Sequence, residues 1–285
     1  MPTIHSGPVC RLFVLLARDA PLGVVFRQGP RQLTQLFLWH TNTDTFEPGD
    51  RFVGNLSPER GDLSPDGKLL IYVAANYTMG HHNKGLPPRW TALSKPPYLT
   101  PLALWPNDEP YYLGGLFAAR GSIEINLAPY ALEDWREHKP SFPAGAPPEG
   151  LVFEYENLPW TPSNQLFTRL MRSGWSQVPT RQQSETVDIA FVKAHPTKPL
   201  SLVLGMGSGN SHTYTVHHEA GNAKTKLVGA VWADWDQRGR LVYSLDGKLF
   251  TAELDFPGKL QPSEIADFTT TARRRPPTPE SASQW

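Results

Sequence analysis

A turn-then-strand phrase recurs along this chain, at 63–72 (LSPDGKLLIY), 104–113 (LWPNDEPYYL), 146–155 (APPEGLVFEY), 194–203 (AHPTKPLSLV) and 235–244 (WDQRGRLVYS). Measured at the third residue of each phrase (Pro65, Pro106, Pro148, Pro196 and Gln237), the steps are 41, 42, 48 and 41 residues. A period of about 40 to 45 residues is the length of one four-stranded β-propeller blade. Strand-like runs at 10–17, 22–28 and 33–41, with Asp19, Ala20 and Pro21 at the turn, supply a sixth reference point. Six blades of about 43 residues fill roughly 258 residues, which predicts an all-β propeller of four-stranded antiparallel sheets over 1–268. Five or seven blades also fit, because the 48-residue step is irregular.

The clearest blade lies at 228–254, where 228–234, 239–245 and 248–254 are β-rich runs parted by turn residues. Asp246 and Gly247 form the pair that a two-residue type I′ hairpin favours, since both central positions need positive φ. Leu241, Tyr243 and Leu245 share one face and Val242 and Ser244 the other, so both faces are largely apolar, as in a sheet covered on both sides. Asp62 and Asp234 each stand five residues before a turn glycine, Gly67 and Gly239, and are expected to accept backbone N–H bonds at the blade corner.

One short inserted helix accounts for the irregular step. Within 156–178, Ser163 reads as an N-cap, Leu166, Phe167, Leu170 and Met171 as an apolar stripe, and Gly174 as the stop. Trp160 and Trp175 flank it. The proline-rich stretch 139–149 reads as an exposed loop, and 269–285, nearly devoid of apolar residues, as a disordered tail carrying Arg273, Arg274 and Arg275.

Composition narrows the function classes. Lys plus Arg and Asp plus Glu number 27 each, so no net field draws the chain to nucleic acid or to an anionic membrane. The 29 prolines suit short strands and many loops. Cys10 stands alone, which excludes an intrachain disulfide and favours the cytoplasm. Val9 to Ala17 is short and interrupted by Arg11, so it reads as a strand rather than a signal peptide, and no window is apolar enough to span a bilayer.

The phrase LSPDGKLLIY resembles the repeat signature of TolB-type and WD-like bacterial β-propellers, and ADWDQRGRLVYSLDGKLFTAEL at 233–254 is similar to a whole blade of that type. The resemblance implies a scaffold and brings no catalytic residue with it. At 104–113 and 194–203 the turn glycine gives way to Glu109 and Lys198.

Chemistry-bearing patterns are sparse. Of nine histidines, His212, His217 and His218 lie closest together; on a strand His212 and His218 share a face while His217 points away, and His81 and His82 sit in a polar stretch, so no metal site and no cofactor is predicted. Gly205, Gly207 and Gly209 precede a β-rich string rather than a helix and read as a bulge or wide turn, and Ser208 among them completes no nucleophile motif. Glu154 and Glu156 share a strand face, as solvated edge charges do. With nine tryptophans and nine tyrosines the chain is rich in aromatics. His81, His82, Trp90, Trp160, Trp175, His212 and His218 are the candidates for a binding face, with Trp105 a further tryptophan beside a proline. The function expected is a non-enzymatic scaffold whose loop face binds another macromolecule, a protein partner. The alternative is a hydrolase or lyase whose active site assembles in the axial channel.

Overall fold

The computed structural model describes residues 10–79, 87–106, 114–118, 121–126, 140–156, 162–179, 189–207, 211–219, 223–255, 259–270 and 277–285. The described chain is mostly β, arranged in five consecutive sheets. Sheet I holds β1 (Arg11–Leu16), β2 (Leu22–Gln28), β3 (Leu33–His40) and β4 (Thr45–Val53). Sheet II holds β5 (Asn55–Leu63), β6 (Leu70–Ala75), β7 (Arg89–Ser94) and β8 (Ala103–Pro106). Sheet III is built from β9 (Gly115–Phe117), β10 (Ser122–Asn126) and β11 (Val152–Glu156). Sheet IV runs from β12 (Ser176–Val178) through β13 (Ile189–Ala194), β14 (Leu200–Gly207) and β15 (Ser211–His218) to β16 (Ala223–Lys226). Sheet V holds β17 (Trp232–Trp235), β18 (Leu241–Leu245), β19 (Lys248–Asp255) and β20 (Lys259–Asp267). Strands follow one another in chain order in every sheet, and sheet III differs in that β10, antiparallel to β9, pairs with β11 in parallel.

The repeat therefore exists, though with five sheets of three to five strands among the described residues rather than six of four. Three of the five phrases mark the corner between an early strand and its hairpin partner: 63–72 joins β5 to β6, 194–203 joins β13 to β14, and 235–244 joins β17 to β18. The other two do not. Pro106 closes β8, the last strand of sheet II, and Pro148 leads into β11, the edge strand of sheet III. The corresponding corner of sheet III is at 118–122, where the Ala118 N–H donates to Ser122 O and Gly121 takes φ +80°. Glu109 lies outside the described residues.

The chain divides into two compact units, one of Met1–Phe13, Arg27–Pro30 and Leu170–Thr271, the other of Val14–Phe26, Arg31–Arg169 and Ala272–Trp285. In the first, sheets IV and V meet through Lys193 and Asp234, 2.7 Å apart, while Ser244 Oγ donates to Leu12 O at 3.1 Å and Arg27 Nε to Phe268 O at 2.7 Å. In the second, the Asp19 N–H donates to Pro65 O between the corners of sheets I and II at 2.8 Å. Sheets II and III there share a core of Ile71, Leu93, Ala103, Trp105, Phe117, Ile123 and Ile125, with Phe153 packed against it and its ring 5.1 Å from that of Trp105. Central strands are covered on both faces: all six residues of β6 are buried, as are Leu241 to Ser244 of β18. This is why they read as continuous apolar runs.

The inserted helix α1 spans Pro162–Arg172, so Ser163 lies inside its first turn rather than at the position before it. Proline suits the first helical position, where no N–H is needed. Its buried face is Gln165, Leu166 and Arg169, whereas Met171 of the expected stripe is half exposed. Gly174, at φ +87°, ends the helix by donating its N–H to Met171 O. Residues 277–285 of the polar tail make specific contacts. Thr278 Oγ1 donates to Asp50, Lys95 Nζ to Ser281 O and Trp285 Nε1 to Gly145 O, and Ala282 is buried in a 3-10 turn over Glu280–Ser283. One small side chain and one terminal tryptophan anchor a stretch whose overall composition is polar. Arg273, Arg274 and Arg275 lie outside the described residues.

Candidate functional site

The corners are built by one recurring device. Ser64 N–H donates to Leu69 O, His195 N–H to Leu200 O and Asp236 N–H to Arg240 O, and in each case the side chain of that first residue accepts backbone N–H groups from the turn. Ser64 Oγ takes the Leu69 N–H, His195 Nδ1 takes those of Thr197 and Lys198, and Asp236 Oδ1 takes those of Arg238 and Arg240. Gly67 (φ +74°) and Gly239 (φ +72°) complete two of these corners, and Asp246 (φ +50°) with Gly247 (φ +78°) turns β18 into β19 with both positions in the left-handed region.

His195 is 8% exposed and lies edge-on to Trp235, ring centroids 4.8 Å apart. Because Nδ1 accepts two N–H groups, the proton sits on Nε2 and is donated to Gly239 O at 2.8 Å. Burial holds its pKa below 6.5 against the opposing effect of the Gly239 carbonyl, and the charge of Lys198 lowers it further. The folded chain then binds fewer protons here than the unfolded one. This contribution to stability is complete above pH about 6.5 and disappears as pH falls through the lower, folded value. The urea midpoint is accordingly expected to drop more between pH 7.5 and 5.5 in the wild type than in His195→Gln, and equal drops would exclude His195 as the cause.

The two aspartates flagged by sequence hold strands together. Asp62 accepts the Leu63 N–H and, at 2.9 Å, the Phe117 N–H of sheet III. Its burial raises its pKa, opposed chiefly by the nearby charge of Arg169. Just before it, β5 carries Pro58 to Gly61 opposite the single residue Tyr72, a bulge that frees several carbonyls. Helix α1 satisfies them: Arg169 Nη1 donates to Pro58 O and Gly61 O, and Gln165 Nε2 to Arg60 O and Gly115 O. Asp234 accepts the Trp235 N–H and pairs with Lys193, whose ammonium lies 5.9 Å from the centre of the Trp175 ring.

Exposed apolar residues flank the other end of sheet II. The register aligns Asn55, Ala75 and Arg89 across β5, β6 and β7. Two residues along the chain from Asn55 and Ala75 stand Val53 and Tyr77, exposed by 62% and 60%, and Met79 beyond them is 69% exposed. Phe52 meets Trp90 edge to face at 5.9 Å, and the Arg89 guanidinium lies over the Tyr77 ring at 5.3 Å while its Nε donates to the Tyr77 hydroxyl. Arg60 is near enough to Arg89 for their charges to interact.

Of the residues nominated for a binding face, Trp90 follows Arg89 on β7 and packs against Phe52. Trp175 is 3% exposed beneath Lys193, and Trp105 is buried in the shared core of sheets II and III. His212 and His218 both lie on β15, opposite Met206 and Leu200, six residues or about 20 Å apart, too far to share an ion. His81, His82 and Trp160 lie outside the described residues, as does Ser208. Glu154 pairs in register with Glu124 across the parallel strands β10 and β11, as Glu156 does with Asn126. Among the described residues no group of three or more His, Cys, Asp or Glu is placed to hold a metal, and no helix is long and apolar enough to cross a membrane. Comparison with protein-family models and with curated proteins finds no match for this chain.

Proposed function

We propose that the five sheets are blades of a β-propeller and that the chain is a non-enzymatic scaffold whose rim at the Tyr77 end of sheet II binds a protein partner. The ring arrangement is supported by contacts inside each unit: sheet I to II at the corners, II to III through Asp62, IV to V through Lys193, and V to the first residues of β1 through Ser244. The binding reading is carried by one observation: exposed Tyr77 lies beneath the Arg89 guanidinium with Arg60 close by, and exposed Val53 flanks the same end of sheet II. Tyrosine, tryptophan and arginine are the residue types that dominate interface energetics, and two guanidinium groups beside an apolar surface favour a partner segment bearing carboxylates.

Tyr77 and Met79 are exposed, so replacing them leaves the fold intact. Binding of the native partner is expected to fall about 30-fold in Tyr77→Ala, the equivalent of about 2 kcal/mol at an interface hot spot, and further in Met79→Glu. Recovery of the same proteins, in the same amounts, by wild type and both variants would refute this surface as the site.

A further inference from the structure

We infer that residues 277–285 lie in a peptide-binding seat as its resident occupant, and that the same seat takes a segment of a partner protein bearing a threonine or serine, a small residue four positions on and a tryptophan three beyond that. The surface is distinct from the Tyr77 rim, because Lys95 follows the end of β7 opposite to Arg89. The segment belongs to none of the five sheets. Side chains fasten it at three points: Thr278 Oγ1 donates to Asp50 Oδ1 at 3.3 Å, Lys95 Nζ to Ser281 O at 3.1 Å and Trp285 Nε1 to Gly145 O at 2.8 Å. Between them, the 3-10 turn over Glu280–Ser283 is closed by the Ala282 N–H on Pro279 O and leaves Ala282 only 2% exposed. Trp285 packs against the core that sheets II and III share.

The seat is tied together by bonds of its own. Asp50 accepts the Leu99 N–H on its other carboxylate oxygen and donates its own N–H to Pro97 O, and Ser94 Oγ donates to Tyr98 O. Leu104 and Ser141 exchange backbone bonds, and the Gly145 N–H donates to Phe142 O. A surface that is already ordered spares an incoming segment much of the cost of binding. An element fastened through side chains and lying outside the sheets opens locally at far less cost than global unfolding. Tethered to the chain, the tail holds the seat at high effective concentration, so a free segment enters only when the tail lifts. The contacts set the pattern. Position 278 calls for a hydroxyl because Asp50 offers an acceptor, position 282 for a small side chain because it is buried, and position 285 for an indole, which joins an apolar body to an N–H for Gly145 O. Glu280 and Gln284 are exposed, so those positions are free to vary.

The test uses the full chain and a fluorescent peptide of residues 277–285, followed by anisotropy. Ala282→Arg dislodges the resident segment, and the peptide is expected to bind this variant about 10-fold or more tightly than the wild type, whose own tail competes. Peptides bearing Trp285→Ala or Ala282→Arg should bind the dislodged chain about 10-fold more weakly. Adding Lys95→Ala to the dislodged chain should weaken the unaltered peptide about threefold, the loss of one hydrogen bond. No binding to an Ala282→Arg chain that keeps the circular dichroism of the wild type would overturn the inference, and equal affinity for wild type and variant would show that the peptide sits elsewhere. Should Ala282→Arg fail to fold, Trp285→Ala in the chain, which removes only the half-buried ring, dislodges the segment in its place and is read in the same way. A wild-type dimer that Ala282→Arg abolishes would assign the seat to the tail of a second copy and overturn the choice of a separate partner.

Discussion

Replacing Arg169 with methionine is expected to destabilise the chain by about 3–5 kcal/mol, the range seen when one partner of a buried charge pair is removed. Arg169 is 5% exposed, and Asp62, whose carboxyl it helps to keep charged, is 6% exposed. Methionine fills a similar volume and returns neither the positive charge nor the two N–H bonds to Pro58 O and Gly61 O. Urea unfolding should show the loss as a lower midpoint at unchanged slope. Adding Asp62→Asn to Arg169→Met should recover part of it by removing the stranded charge, whereas the half-exposed Met171→Ala two residues along the helix should change stability by less than about 0.5 kcal/mol. An Arg169→Met protein as stable as the wild type would show that the β5 bulge is held by something other than the helix.

The second large effect is expected at Gly49. A Cβ there would overlap the Pro97 carbonyl and lie 2.7 Å from its carbon, and both atoms belong to backbone that is itself tied down. The Asp50 N–H donates to Pro97 O at 3.0 Å, and Asp50 accepts the Leu99 N–H at 2.9 Å. The usual relief, rotation of a flexible side-chain tip, does not exist at this site. Gly49→Ala is therefore expected to cost about 3 kcal/mol, the upper end for overpacking, and Gly49→Val more. A urea midpoint within experimental error of wild type for Gly49→Ala would mean that the 95–99 loop yields freely.

These two positions also mark the boundary of what the amino-acid sequence discloses. The all-β character and three of the corners are legible because a turn residue followed by a covered apolar strand is a local pattern, as at Gly67 with β6 and at Gly239 with β18. The same pattern misleads at Pro106 and Pro148, since a proline beside a strand does not say which strand of a sheet it adjoins. The corner that joins Ala118 to Ser122 escapes notice because the sequence there holds no proline or aspartate. Among the site residues, Trp90 is legible as an aromatic beside a turn. The exposure of Val53, Tyr77 and Met79 depends on where two separate strands, β4 and β6, end, and Trp175 looks equally eligible until Lys193 is found above it. Arg169 and Gln165 are the least legible of all. Each answers a need created by a bulge about 105 residues earlier in the chain, and nothing in the helix itself announces that need.

The corner device at Ser64, His195 and Asp236 bears on how chains of this kind are detected. Each corner requires only a lone pair held at a fixed point above the turn, a demand that a hydroxyl, an imidazole or a carboxylate meets equally well. Residue identity can then drift there while the geometry persists, so a search keyed to letters will pass over corners that a search keyed to acceptor atoms would find.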